Sequence, residues 1–416
     1  MLDITNKYVR EHLTDGKTGL ELEVHRITGD GYLVDTKHPF EGNENIGRDF
    51  SEDQIEINTA PMDSPAEAVD ELKKHLDTVY QTLSGTGEII WPFSNPPYID
   101  REEDIKIAEF TGEKSDATEY RKYLSDRYGR YLMTYSGIHY NYSTDDLLIK
   151  ESYGCGDDEL KERKNNYYTA LAGNCLNHCW LLVALLAASP VADGSFMGRG
   201  KKGETLFNGY ASMRCGDEGY WNEFVPILNY SDIGSYAKSI NSYVESGQII
   251  APRELYYPIR LKPRGKYDIN KLPDTGVSHI EFRMVDLNPF EETCIDLRDV
   301  EFMQLLFAYL GTVPEIRMDE EAQRTALSNI KEAARYDIDK RCIRYKGDNI
   351  PIKEAALDKL NEIREFLVKW DVKGIDTVDY QISKLTGKTY AKRVKETYGD
   401  SFVEKGLSLS KDRSNV

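Results

Sequence analysis

Segments in which apolar and polar residues alternate constrain the fold of this chain more than any other feature. In residues 18–27, Leu and Val side chains alternate with Glu21, Glu23 and His25. Because successive side chains of a strand point to opposite faces, this pattern predicts a strand with one buried and one polar face. The two carboxylates then lie on the same face, about 7 Å apart.

Three further segments show the same alternation, each with reactive side chains on its polar face. They are predicted strands at residues 49–59 with Asp49 and Glu56, at residues 135–143 with His139 and Asn141, and at residues 279–285 with Glu281 and Arg283. Taken singly, a Glu-x-Glu pair is usually a solvated edge strand, and a His beside an Asn is usually a satisfied polar pair. Four such segments in one chain favour a shared polar site.

Helices separate these strands. Ser64 and Pro65 are typical of the start of a helix, and an apolar stripe follows them at helical spacing. Residues 158–188 predict a long helix that becomes almost wholly apolar, so we expect it at the centre of the fold. Other predicted elements are helices at 117–133, 291–310, 319–338 and 352–369, a strand at 256–261 and a loop at 190–209. This order of elements predicts an α+β fold with a mostly antiparallel sheet.

The composition excludes some classes of function. The chain has 416 residues with 53 Lys and Arg against 71 Asp and Glu, a net charge of −18. Such acidity argues against a surface that coats nucleic acid, and it suits a pocket that holds cations. No apolar leader stands at the N-terminus, and the longest apolar run, Trp180 to Ala188, is shorter than the roughly 20 residues of a membrane span. We therefore expect a cytoplasmic protein, with a monomer favoured and with neither nucleic acid nor membrane as a partner.

Three other patterns have simpler explanations than a site. Cys175, His178 and Cys179 have helical spacing and could bind a metal, but a buried helix with small residues is favoured because no fourth ligand stands nearby. Residues 198–203 match a dinucleotide-binding glycine motif without a preceding strand, so a solvated loop is favoured. Residues 382–416 carry eight Lys or Arg against four Asp or Glu. We expect one catalytic domain over residues 1–381 and a basic, partly flexible segment over residues 382–416.

Several carboxylates that face one another repel unless cations lie between them. Mg²⁺ or Mn²⁺ accepts carboxylate oxygens and leaves positions open for water and phosphate, and a neutral imidazole can complete such a site. An Arg two positions from a ligand Glu, such as Arg283 after Glu281, points into the same cavity. There it can stabilise a phosphoryl group during transfer.

The motifs, taken in order, resemble the bacterial glutamate–cysteine ligases (γ-glutamylcysteine ligases), both the stand-alone enzyme and the N-terminal module of the bifunctional glutathione synthase. The matching stretches are residues 19–23, 49–56, 91–97, 127–129, 136–143, 188–190, 212–214 and 280–290. Each motif is short, but the ordered set is specific.

The resemblance implies a glutamine-synthetase-like catalytic sheet, curved into a funnel and surrounded by helices, that binds ATP and Mg²⁺, with Mn²⁺ as another candidate. It implies that the γ-carboxylate of glutamate takes the terminal phosphoryl group of ATP. The amine of cysteine then displaces phosphate, and γ-glutamylcysteine and ADP are the other products.

The resemblance also implies roles for individual residues. It places one metal on Glu23, Asp49 and Glu56 and a second metal on Glu21, His139 and Glu281. It places Arg283 on the transferring phosphate and Arg214 on a substrate carboxylate, as a planar fork. The substrate pocket would be lined by Tyr120, Arg121, Tyr220, Asn141 and Tyr256, with Asn141 facing substrate or nucleotide.

One departure from the family pattern bears on the substrate. Met133 stands where a polar Gln is usual in the family, so the acceptor could be cysteine or another amine. A third hypothesis is a degenerate homologue that binds nucleotide or a partner protein without turnover. The presence of all six implied metal ligands argues against that hypothesis.

Overall fold

A seven-stranded sheet forms the centre of the computed structural model, which describes residues 1–112 and 115–414. Two short hairpins, β6 with β7 and β10 with β11, lie outside this sheet. The strands are β1 (Gly16–Thr28), β2 (Ile46–Arg48), β3 (Gln54–Asn58), β4 (Glu88–Trp91), β5 (Ile138–Thr144), β6 (Val191–Asp193), β7 (Thr205–Phe207), β8 (Ile259–Lys262), β9 (His279–Val285), β10 (Cys342–Tyr345) and β11 (Asp348–Pro351).

The helices come between and after these strands. They are α1 (Lys7–Glu11), α2 (Pro65–Leu83), α3 (Ser115–Tyr128), α4 (Asp146–Tyr153), α5 (Asp157–Leu186), α6 (Ile233–Glu245), α7 (Leu272–Thr275), α8 (Leu297–Leu310), α9 (Glu320–Ala333), α10 (Ile352–Trp370), α11 (Ile375–Thr386), α12 (Tyr390–Tyr398) and α13 (Phe402–Ser414).

The large sheet has the order β2-β3-β1-β5-β9-β8, with β4 paired to the far end of β1. Its strand pairs are all antiparallel. Leu20, Leu22 and Val24 are buried on one face, against which α2, α5 and α8 pack. The opposite face, which we call the polar face, carries Glu21, Glu23 and their neighbours. The predicted α+β class with a mostly antiparallel sheet is confirmed.

Two of the predicted helices follow their sequence signals closely. The Ser64 side chain accepts from the Glu67 amide at the start of α2, with Pro65 in the first turn. Helix α5 is buried over most of its second half, because it packs against the sheet and α9. Within the described residues, α5 is long and apolar enough to cross a membrane, but 94% of its most apolar window is buried inside the protein.

The strand predicted at residues 49–59 is interrupted. Residues 49–53 form a turn between β2 and β3, closed by backbone bonds from Asp49 to Gln54 and from Gln54 to Ser51. Asp49 therefore approaches the site from a turn and not from a strand. The helix predicted from residue 291 begins only at Leu297, where the Asp296 side chain caps it by accepting from the Arg298 amide at 2.9 Å.

The C-terminal part of the chain is helical up to residue 414. The predicted boundary between residues 381 and 382 lies inside α11, and α13 packs on β4, where Gly406 lies close to Trp91. Lys384 donates to the buried carboxylate of Asp299 on α8 at 2.6 Å, which joins α11 to the rest of the fold. The division into a catalytic domain and a flexible basic segment stays a prediction.

His25 lies on the polar face of β1, but it is completely buried. Its Nδ1 lies 2.5 Å from Asp53 Oδ2, and its Nε2 lies 2.8 Å from the carbonyl oxygen of Thr134. Since both partners are acceptors, both ring nitrogens donate and the ring is charged. Burial lowers the pKa of His25, but the charge and hydrogen bond of Asp53 outweigh burial and raise it overall.

We expect His25→Leu to lower the free energy of unfolding by about 3–5 kcal/mol, because the Asp53 carboxylate is left buried without its partner. Urea unfolding at pH 6 measures the loss. The folded pKa lies above the reference value of 6.5, so this stabilisation is complete below pH 6.5 and is lost as the pH rises through the folded pKa. A double variant with Asp53→Leu should recover part of the loss. An equal loss in both variants would contradict the ion pair.

Candidate active site

Three strands bring Glu21, His139 and Glu281 together on the polar face. We call these three residues the first cluster. Glu21 on β1 is paired with His139 on β5, and Asn141 on β5 is paired with Glu281 on β9. One ligand atom from each of Glu21, His139 and Glu281 lies within 4.8 Å of the other two. The Asn141 amide donates to Glu21 Oε1 at 2.8 Å and holds that carboxylate in place. The sequence grouped these residues correctly, and their role as metal ligands stays a prediction.

His139 gives a test of whether a cation fits this cluster. Its Nδ1 lies 3.0 Å from Glu21 Oε2, and its Nε2 lies 3.6 Å from Glu23 Oε1. Burial and the charge of Arg283 lower the pKa of His139 to about 4, so the ring is neutral at pH 7 and holds one proton.

One of its nitrogens therefore turns a lone pair toward a carboxyl oxygen of Glu21 or Glu23, a contact that a divalent cation would make favourable. In the described part of the chain, Glu281 Oε2 is buried and makes no hydrogen bond, and its contacts with Arg283 and Arg260 are ion pairs only.

A second acidic group lies one step along the sheet. Glu23 on β1 is paired with Glu56 on β3, and Asp49 reaches them from the turn before β3. Burial and the charge of Asp49 raise the pKa of Glu23 to about 7, and burial with the same repulsion raises the pKa of Glu56 well above its usual range. Over the described ranges these three carboxylates do not meet as closely as the first cluster does. Their mutual repulsion nevertheless favours a cation among them.

A β-bulge places Arg283. Ile138 is paired with Val285 and Tyr140 with Phe282, so two residues of β9 oppose His139 alone. Bulges redirect side chains and are frequent next to active sites. The Arg283 guanidinium lies 3.3 Å from both His139 Nδ1 and Glu281 Oε2. It borders the first cluster, where the sequence predicted it.

Gly137 leaves the space that Arg214 occupies. The Gly137 amide donates to Glu23 Oε2 at 3.0 Å, and a Cβ built on Gly137 would lie 2.4 Å from Arg214 Cζ. Arg214 donates to the carbonyl oxygen of Arg283 at 2.8 Å, which ties the two arginines together. A side chain larger than hydrogen at residue 137 would therefore displace the Arg214 guanidinium.

Asp286 holds the loop that carries Arg214. Its buried carboxylate accepts from the Ala188 amide at 2.9 Å, from Ser189 Oγ at 2.7 Å and from Ser212 Oγ at 3.0 Å. Ser212 stands two residues before Arg214 in the chain. Asp286 was not among the predicted site residues, although it lies within a stretch that matched the family.

The aromatic residues divide into two groups. The rings of Tyr220 and Tyr256 are 4.1 Å apart, and both line a small cavity with Arg214 and Arg283. Within the described chain, Tyr120 and Arg121 do not border this cavity.

The Tyr120 ring lies 3.8 Å from the Arg253 guanidinium. Arg121 donates to the carbonyl oxygens of Asp49 and Arg48. Arg121 therefore fixes the turn that bears Asp49, and its predicted substrate contact stays a prediction.

A cleft of about 1020 Å³ opens beside the first cluster. Glu21 and Asn141 are among its lining residues, and so are Lys17, Lys164 and Arg264. Lys17 pairs with Asp63 and Lys164 pairs with Asp146, so basic and acidic side chains are mixed along the cleft. No local pattern in the sequence marked these bases, because Lys17 lies on β1, Lys164 on α5 and Arg264 in the loop after β8.

The family model described as glutamate–cysteine ligase matches residues 1–250 and 225–333. The chain belongs to the glutamate–cysteine ligase family. Its predicted resemblance is therefore confirmed.

The family includes relatives of two lengths. The glutathione biosynthesis bifunctional protein of Listeria monocytogenes is 34% identical over 385 residues, which cover 86% of this chain and 48% of that protein. The glutamate–cysteine ligase of Pseudomonas putida is 32% identical over 395 residues, which cover 83% of this chain and 74% of that protein. The chain spans about half the length of the bifunctional relatives that it matches.

Two solved structures of glutamate–cysteine ligase family proteins share the fold. A bifunctional glutathione synthetase from Pasteurella multocida superposes with a TM-score of 0.85 at 26% identity, over 99% of this chain and 54% of that one. A glutamate–cysteine ligase from Francisella tularensis, solved in complex with AMP, gives 0.84 at 23% identity, over 96% of this chain and 88% of that one. The predicted fold class is confirmed over nearly the whole chain.

Proposed function

We propose that this protein is an ATP-dependent ligase that joins the γ-carboxylate of glutamate to the amine of cysteine. The observation that supports it most is the cluster of Glu21, His139 and Glu281 beside Arg283, next to a large cleft that Glu21 lines. This arrangement suits phosphoryl transfer, in which positioning and charge stabilisation supply most of the catalysis. Membership of the family supports glutamate and cysteine as the substrates.

The residues present fit two divalent cations. Glu21, His139 and Glu281 would hold one, and Glu23, Asp49 and Glu56 would hold the other, with Mg²⁺ first and Mn²⁺ second in preference. When bound, such a cation would polarise the phosphate oxygens and offset their charge. ATP bound in the cleft would have the basic side chains of Lys17, Lys164 and Arg264 among its neighbours.

Arg283 and Arg214 have separate roles in the proposed reaction. A carboxylate is a poor acyl donor, so the γ-carboxylate oxygen of glutamate first attacks the terminal phosphorus of ATP and ADP leaves. Arg283 neutralises charge on the transferring phosphoryl group. Arg214 binds a substrate carboxylate through its planar fork. The cysteine nitrogen then attacks the acyl carbon, the bond to phosphate breaks and the amine loses a proton.

The proposed reaction also indicates the partners of the protein and its location in the cell. The partners are small molecules, namely ATP, glutamate and cysteine or another amine, with no nucleic acid and no membrane. We infer a monomeric, cytoplasmic enzyme.

ADP formation by the purified protein tests the proposal. With ATP, Mg²⁺ and glutamate, we expect turnover that rises strongly when cysteine is added, and Glu56→Gln should reduce it by about 10²-fold or more because a carboxylate of the acidic group is lost. Glu354→Gln, at an exposed position of α10, is the matched control and should keep full activity.

No cysteine-dependent turnover would contradict the proposed acceptor. Met133, the residue that departs from the family pattern, is buried with its sulfur 3.9 Å from Tyr256 Oη. Because this departure bears on the acceptor, the same assay should also test a panel of amines in place of cysteine. Turnover with another amine alone would keep the ligase chemistry and change the acceptor. No turnover with any amine would support the degenerate homologue.

A further inference from the structure

Three cations surround the buried carboxylate of Glu281. Lys262 Nζ lies 3.1 Å from Oε1, while Arg283 Nη1 and Arg260 Nη1 lie 3.3 Å and 3.9 Å from Oε2. Two of them, Lys262 and Arg260, come from the adjacent strand β8. One carboxylate therefore meets more positive charge than it can neutralise, and that excess opposes a further cation at the same cluster.

The charges around the first cluster indicate what would allow a divalent cation to bind there despite the neighbouring positive charges. Glu21 and Glu281 supply two carboxylates to this cluster. A divalent cation held by these residues would cancel both carboxylates and leave the neighbouring cations uncompensated. The phosphates of a nucleotide would supply the missing negative charge. Binding of the metal and of the nucleotide would then depend on each other.

Lys262 is the cation best placed to change partners. Arg260 is fixed by bonds from its Nε and Nη2 to backbone carbonyl oxygens of Leu255 and Arg253. Lys262 donates to Glu281 and otherwise lies 5.3 Å from the Tyr267 ring. Its cross-strand partner, His279, lines the cleft. A lysine is a compact charge on a flexible stem, so it can turn from Glu281 to a phosphate in the cleft.

We propose that Lys262 couples metal binding to nucleotide binding at this site. Without nucleotide, the Lys262 ammonium group neutralises the Glu281 carboxylate. When nucleotide phosphates bind in the cleft, they attract this ammonium group away from Glu281, and Glu281 can then bind the metal. The inference rests on the proposed function, because it requires that the cleft binds a nucleotide. Lys262 acts here as a positioning residue.

Two binding measurements on Lys262→Met test the proposal. Mn²⁺ alone, titrated by electron paramagnetic resonance, should bind about tenfold more tightly than to wild type, because the competing cation is gone. A non-hydrolysable ATP analogue with Mg²⁺, titrated by calorimetry, should bind about tenfold more weakly, because the phosphates lose a partner. A residue with a merely structural role would not shift the two affinities in opposite directions.

Two further variants complete the test. Lys262→Arg keeps the charge and should keep both affinities near those of wild type. Lys340→Met removes one exposed lysine, paired with Asp337 at 2.8 Å, and should change neither affinity. Unchanged or weaker Mn²⁺ binding by Lys262→Met would overturn the inference alone. Wild-type protein that binds no nucleotide would overturn the proposed function as well.

Discussion

Arg283→Met is expected to lower kcat for ADP formation by about 10³–10⁵-fold, the effect of losing an arginine that meets the charge of a transferring phosphoryl group. The Arg283 guanidinium lies 3.3 Å from both Glu281 and His139, next to the proposed position of that group. The KM for glutamate should change far less, because the contact is made mainly in the transition state. Steady-state ADP formation with saturating substrates measures both constants.

The matched control is Arg324→Met, which removes an exposed arginine that pairs with Glu320 on α9. It should leave kcat unchanged, and both variants should melt close to wild type. A decrease of less than about tenfold in kcat for Arg283→Met would exclude a direct role in phosphoryl transfer.

Gly137→Ala is expected to lower kcat/KM for glutamate by about 100-fold, because a shift of about 1 Å in a substrate-binding group has that effect. The added Cβ would lie 2.4 Å from Arg214 Cζ, so the Arg214 guanidinium has to move away from the site. The change is a single methyl group, and it makes no contact with substrate in the proposed mechanism. Initial rates at varied glutamate concentration measure the effect.

Gly29→Ala is the matched control for this methyl group. No atom lies within 4 Å of a Cβ built on Gly29, so the same substitution should leave kcat/KM near that of wild type. Activity of Gly137→Ala within a factor of about two of wild type would show that the position of Arg214 does not limit glutamate use.

The sequence correctly predicted the elements whose boundaries are set by neighbouring residues. The boundaries of β9 and the start of α2 agree with the sequence, because alternation and capping are properties of neighbouring residues. The turn at residues 49–53 was missed because distant partners help its local backbone bonds to hold it. Arg121 binds the Asp49 carbonyl oxygen, and His25 binds Asp53. Such contacts leave no mark on the local pattern.

The site shows the same division. Alternation predicted which side chains share a face within each strand, but the pairing of Glu21 with His139 depends on the register between strands. Here the order of the family's motifs supplied what periodicity could not. The bulge in β9 did leave a local signal, since Met284 and Val285 are consecutive apolar residues in an otherwise alternating strand. Lys262 lies one residue beyond the predicted end of β8 and was missed.

The bulge in β9 also changes the parity of the chain. Residues three positions apart in a regular strand project from opposite faces, yet Phe282 and Val285 both pair with core residues of β5. The same shift lets Arg283 border the first cluster while Asp286, three residues on, reaches the loop that bears Arg214. Deleting one residue at the bulge would make the pairing of β5 with β9 regular and would turn either Arg283 or Asp286 into the core. The site would then lose Arg283 itself or the carboxylate that holds the Arg214 loop, so a regular sheet would displace an arginine from the site.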